Sequence, residues 1–178
     1  MNTENDATNN HPSIHLGQKF RLLQSMLLAR NPGACEYVRN GEPVCVIGQL
    51  AVKEGADPAD LEPWGIASVN DLLCEDPSCE WEDPAGALDA LTEYPVGLLQ
   101  AVQRRFDDSL NPEVFPSHLA AMYDVLNDYP ARNVQPGDRA NGMHVSSPQD
   151  AGSFNRFFSA GIAALEEVIQ DRIDQGAG

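Results

Sequence analysis

Four cysteines, Cys35, Cys45, Cys74 and Cys79, are the side chains whose type could build a metal centre. Four thiolates around one ion make the tetrahedral site that zinc favours. The spacing argues against such a site. Structural zinc sites draw on two short Cys pairs, whereas Cys74 and Cys79 form one, and nine residues separate Cys35 from Cys45. A strongly acidic neighbourhood also raises thiol pKa values and opposes the deprotonation that metal binding requires. Cys45 lies in an apolar run and reads as an ordinary buried thiol. The four remain weak metal candidates, reduced by default in a chain without an export signal, and no cofactor is expected.

Paired carboxylates are the next candidates: Asp107-Asp108, Glu166-Glu167 and Glu82-Asp83. General acid–base work needs two carboxyls in environments that separate their pKa values, and adjacent acids on a helix more often form a solvated face. His11 and His15 have a spacing that puts two imidazoles on one helix face. Pro12-Ser13 stands where a metalloprotease motif would carry its Glu, so the pair reads as solvated. Phosphate-cradling Gly-rich loops and the Gly-x-Ser-x-Gly elbow are absent. No residue is assigned a catalytic role.

Charge supplies the strongest signal. The chain carries a net charge of -16, from 27 acidic and 11 basic residues, and the excess is unevenly placed. Residues 1–53 sum to +1 and residues 104–178 to -5, whereas residues 54–103 hold twelve acids and no Lys or Arg. Such a field repels nucleic-acid phosphates and anionic membranes and attracts basic protein surfaces. Within the run, Asp71, Glu75, Asp76, Glu80, Glu82, Asp83, Asp89 and Glu93 are interleaved with Trp81 and Tyr94, a composition suited to an interface. The eight acids and Trp81 are the nine candidate partner-binding residues. A carboxylate face of this kind can occupy a basic groove by imitating a phosphate strand. The bland alternative is a solvated face that keeps the chain soluble.

The elements that must position these residues are helical. Leu16, Phe20, Leu23 and Leu27 recur at helical spacing and predict a helix over 16–30, stopped by Asn31-Pro32-Gly33. Residues 34–54 are ambiguous. Asn40-Gly41 signals a hairpin, while Ile47, Leu50 and Ala51 fit a helix over 44–54 with Pro43 near its first turn. The reading adopted is that helix after an extended segment. Brief helical turns are expected at 58–62 and 69–74, and helices from Pro84 to about Glu93, from Pro95 to about Phe106, and from Pro116 to Tyr129. The stretch 129–147 has no period and reads as a long loop. Ser147-Pro148 opens the longest helix, 148–174, with Phe154, Phe157, Phe158, Ile162, Leu165, Ile169 and Ile173 on its inner side. The expected fold is mainly α: one irregular helical bundle over 14–178, with a small β-hairpin near 35–47 as the alternative for that stretch, after a disordered leader at 1–13. No run is long and apolar enough to span a membrane, and the polar opening lacks the features of a secretory signal, so a cytoplasmic location is expected.

Pro43-Val44-Cys45-Val46-Ile47-Gly48-Gln49-Leu50, Tyr94-Pro95-Val96-Gly97-Leu98-Leu99, Leu126-Asn127-Asp128 and Ser153-Phe154 together resemble motifs of small uncharacterised bacteriophage and prophage proteins. The resemblance implies a phage-related origin, hence a host cytoplasm, and carries no activity. The function expected from charge is a non-enzymatic acidic interaction protein that binds a basic partner, such as a nucleic-acid-binding or defence protein of the host. Two alternatives stand beside it. One is a small metal protein or enzyme using Cys45, Cys74 and Cys79 or a carboxylate pair. The other is a regulator that contacts DNA through Lys19, Arg21, Arg30 and Arg39.

Overall fold

The structure, a computed structural model, describes residues 12–30, 36–64, 89–107 and 115–176. Its fold is mainly α, as the periodicity predicts, with a few two-residue strands forming small sheets. Helix α1 spans Leu16–Leu28, with His15 as its N-cap, and ends within the predicted boundary. Around it, Gly17, Gln18, Phe20, Arg21, Leu22, Leu23, Ser25 and Met26 are all buried. No single amphipathic face can account for that pattern. Instead α1 is enclosed by neighbours on most sides, and it forms the axis of the molecule.

Both readings of residues 35–47 prove right in part. Strands β2 (Val38–Arg39) and β3 (Glu42–Pro43) pair antiparallel around Asn40-Gly41. Both turn residues have positive φ, 53° and 77°, as a tight primed hairpin turn requires. Helix α2 follows at Val46–Lys53 with Cys45 as N-cap. Pro43 is thus not in the first helical turn. It sits in β3 opposite Val38, where a missing N–H is tolerated on an edge strand. Gly48 explains how closely helix and hairpin meet: a Cβ at this position would lie 2.1 Å from the Tyr37 carbonyl oxygen.

Asp57 caps the short helix α3 (Pro58–Leu61), with Pro58 in its first turn, and a 3-10 turn continues through Trp64. The turn expected at 69–74 lies outside the described residues, as does the start of the helix expected from Pro84. The described end of that helix is a 3-10 turn over Asp89–Leu91. Bonds from Thr92 N–H to the Asp89 carbonyl and from Tyr94 N–H to that of Leu91 tighten it, and Pro95 forbids continuation. Helix α4 (Val96–Asp107) buries Leu98, Leu99, Val102 and Phe106. Helix α5 (Phe115–Asn127) buries Leu119, Met122 and Leu126.

The stretch 129–147 is built from strands too short to show a period. Strand β4 (Ala131–Arg132) runs parallel to β1 (Ile14–His15), so the entry to α1 is tied to the exit from α5. Strands β5 (Arg139–Ala140) and β6 (Met143–His144) form a second hairpin around Asn141-Gly142, again with positive φ at both positions. Val134, Ala140 and Val145 from this stretch are buried. Helix α6 (Pro148–Gly176) then packs along α1 and α5. The Ser147 hydroxyl accepts from the Asp150 N–H and donates to its carboxylate, closing the first turn. Phe158, Ile162 and Ile169 face the core, but Phe157, read as inward from the sequence, is 57% exposed. Consecutive residues point about 100° apart on a helix, so only one of the pair Phe157-Phe158 can head into the core. Phe157 lies over the edge of Phe20 instead, with centroids 5.5 Å apart.

Candidate functional site

Of the nine candidate partner-binding residues, Asp71, Glu75, Asp76, Glu80, Trp81, Glu82 and Asp83 lie outside the described residues. Asp89 and Glu93 are exposed, on and just after the 3-10 turn. Asp57, Asp60 and Glu62 of the same unbroken acidic run are also exposed, around α3. Asp57 Oδ1 accepts from the Ala59 N–H at 2.9 Å, and Glu62 Oε1 accepts from the Asn40 N–H at 2.9 Å. These bonds hold the carboxylates in place while leaving them in solvent. Helix α3 and the turn at 89–91 both pack against α2. The acids that flank residues 65–88 on either side therefore stand on two elements supported by one helix.

Glu54 departs from this pattern. Its side chain is only 10% exposed, and its Oε1 accepts from Arg21 Nε, whose own side chain is 4% exposed. The Tyr94 hydroxyl donates to the same oxygen at 2.5 Å. Burial, aided by the Glu54 charge and opposed by Arg21, pushes the Tyr94 phenol well above its ordinary pKa, so it remains a donor. Breaking such a buried pair on one side costs several kcal/mol, roughly 3–5, because the other charge is left without compensation. Arg21 Nη1 is buried and has no hydrogen-bond partner among the described residues. A cavity of about 20 Å³, room for one water, lies beside Arg21, Glu54 and Tyr94 and is also lined by His15, Gln18 and Arg139. Sequence reading placed Arg21 in a basic segment and Glu54 in the acidic run. The signal that could have separated Arg21 is its position beside Leu22 and Leu23, in a helix whose apolar residues already exceed one face.

His15 is a correction of a different kind. It is buried, not solvated, with 7% exposure. Its Nδ1 accepts from the Gln18 N–H at 3.2 Å, while Gln18 Oε1 accepts from the His15 N–H at 2.7 Å, forming a reciprocal cap. The proton therefore resides on the other ring nitrogen. Burial first, and the Arg21 charge second, lower the His15 pKa from 6.5 to about 4. Gln18 Nε2 in turn donates to the Glu93 carbonyl at 2.5 Å. The start of α1 is thereby tied to the end of the acidic run.

Cys45 Sγ accepts from the Gly48 N–H at 3.2 Å, and burial pushes its thiol up to about 12. A thiol held protonated as a helix cap is poorly suited to metal ligation. Cys35, Cys74 and Cys79 lie outside the described residues, and among those described no three His, Cys, Asp or Glu side chains gather to hold an ion. Glu166 binds Lys19 at 2.8 Å while Glu167 points to solvent, so this carboxylate pair splays apart. In the basic segment, Lys19 and Arg21 are engaged by Glu166 and Glu54, and Arg39 by Glu36. Arg30 is exposed. Among the described residues no helix is long and apolar enough to cross a membrane. The chain matches no family model, no curated protein and no solved structure.

Proposed function

We propose that this chain is an acidic interaction protein whose negative segment docks on a basic partner, the natural class being a protein whose groove otherwise holds nucleic acid. One observation carries the reading: fifty consecutive residues, 54–103, contain twelve acids and no Lys or Arg. Glu54 alone among the described acids of this run is consumed inside the fold; Asp57, Asp60, Glu62, Asp89 and Glu93 face solvent. Unneutralised carboxylates on packed elements attract a cationic surface at long range and lose little entropy on contact. The engagement of Lys19, Arg21 and Arg39 by acids within the chain weighs against a phosphate-binding role for residues 16–39.

The test is capture on immobilised protein from a cell extract at increasing salt, beside a variant with Asp57, Asp60, Asp89→Asn and Glu62, Glu93→Gln. The expected outcome is retention of basic proteins that falls steeply as salt screens the attraction, competition by a polyanion such as heparin, and weaker retention by the variant. Retention indifferent to salt, heparin and these five substitutions would sink the reading.

A further inference from the structure

The outer face of α6 bears an apolar stripe that no element of the described chain covers. Phe157 and Val168 are 57% and 43% exposed, and Ala160 and Ala164, also exposed, lie between them at helical spacing. Phe157, Ala160, Ala164 and Val168 thus form one line, large at its ends and small at its centre. The stripe's surroundings are unlike the rest of the molecule. In a chain with 27 acids and 11 bases, its surroundings hold Arg156 and Arg172 against Glu167, Asp171 and, at the N-terminal end, Asp150, a far smaller excess of acid. The signs are also ordered along the helix: Arg156 stands toward the N-terminal end, Glu167 about three turns later on the same edge of the stripe. No ion pair within the described chain includes either residue.

We infer that this face packs against the same face of a second copy, antiparallel about a twofold axis near Ala160–Ala164. A twofold contact must be self-complementary, because residue i meets j wherever j meets i. Antiparallel α6 helices satisfy that condition. Phe157 covers Val168 of the partner subunit at each end, and the alanines let the backbones approach at the centre. Residues on the same edge face each other in such a pair, so Arg156 meets Glu167 of the partner subunit, twice by symmetry. The opposed helix dipoles add to the fit. A groove of about 390 Å³ lined by Asn141, Asp150, Ser153, Phe154 and Phe157 opens at the N-terminal end of the stripe. It lies where the partner's chain beyond Val168 would run. The large overall charge does not forbid this contact, since about 0.15 M salt reduces the reach of charge to ~8 Å.

Sedimentation velocity on the full chain, up to about 200 µM in physiological salt, tests the inference through the concentration dependence that association imposes. The expected result is a monomer–dimer equilibrium that Val168→Glu weakens by about tenfold or more. Arg156→Glu and Glu167→Arg should each weaken it, and the double exchange should restore it, because the pair is re-formed with its signs reversed. All of these positions are on the surface, and unchanged circular dichroism will show that the variants fold. A wild-type chain that stays monomeric throughout overturns the inference. So does a dimer that is indifferent to Val168→Glu, or one that the double exchange fails to restore.

Discussion

His15 shows how much one side chain can carry when its tautomer is specified. Its ring accepts at the start of α1 through Nδ1, which fixes the proton on the other nitrogen. An imidazolium cannot do this, because Nδ1 would then present a proton to the Gln18 N–H. With a folded pKa of about 4 against 6.5 for the free side chain, the unfolded chain takes up a proton that the native chain refuses. The stabilisation from this residue is therefore complete above pH 6.5 and is lost as the pH falls toward 4. By pH 5 the loss reaches about 2 kcal/mol. Urea denaturation at pH 7.5 and pH 5 checks this in the native chain and in His15→Asn, whose side chain can still cap but does not titrate. The native chain should lose more stability than the variant by about that amount. Equal losses would place the pH dependence elsewhere, in the carboxylates.

At the scale of elements, the hairpin and α2 behave as one unit because Gly48 has no side chain. A Cβ there would meet a backbone carbonyl, which cannot rotate away as a side chain could. Gly48→Ala should therefore destabilise the fold by about 1–3 kcal/mol despite alanine's better helix propensity, measured as a lower denaturation midpoint. An unchanged midpoint would mean that the hairpin can shift at no cost. The same stretch explains what the sequence disclosed and what it withheld. Cys45-Val46-Ile47-Gly48 advertised a helix start, and Asn40-Gly41 advertised a turn; both signals were local, and both were correct. The spacing between them, which decides that Pro43 joins the strand, depends on contact with Tyr37 and is not local. Asn141-Gly142 carried the same turn signal as Asn40-Gly41, yet two-residue strands leave no alternation to read, so 129–147 looked like a loop. The long helices were legible from periodicity. The Arg21–Glu54–Tyr94 cluster was not, because it joins residues 33 and 40 positions apart whose types, taken singly, belong on a surface.

For the molecule as a whole, charge and burial act in opposite directions. Twenty-seven acids against 11 bases give a net charge of -16 that favours any expanded state over the compact one. The native ion pair nearest the core, Arg21–Glu54, is buried and screened little by salt. Raising salt from about 10 mM to about 300 mM should therefore raise the denaturation midpoint, since repulsion weakens more than attraction does. A falling midpoint would show that exposed pairs such as Lys19–Glu166 contribute more than the repulsion does. The enclosed position of α1 has a further consequence during protein synthesis. This helix is finished at Leu28, but the partner it packs against most extensively does not begin until Pro148. At translation speeds of roughly 5–20 residues per second, its apolar surface waits on the order of ten seconds for that cover. For a nascent chain, that interval is when a chaperone has most to bind.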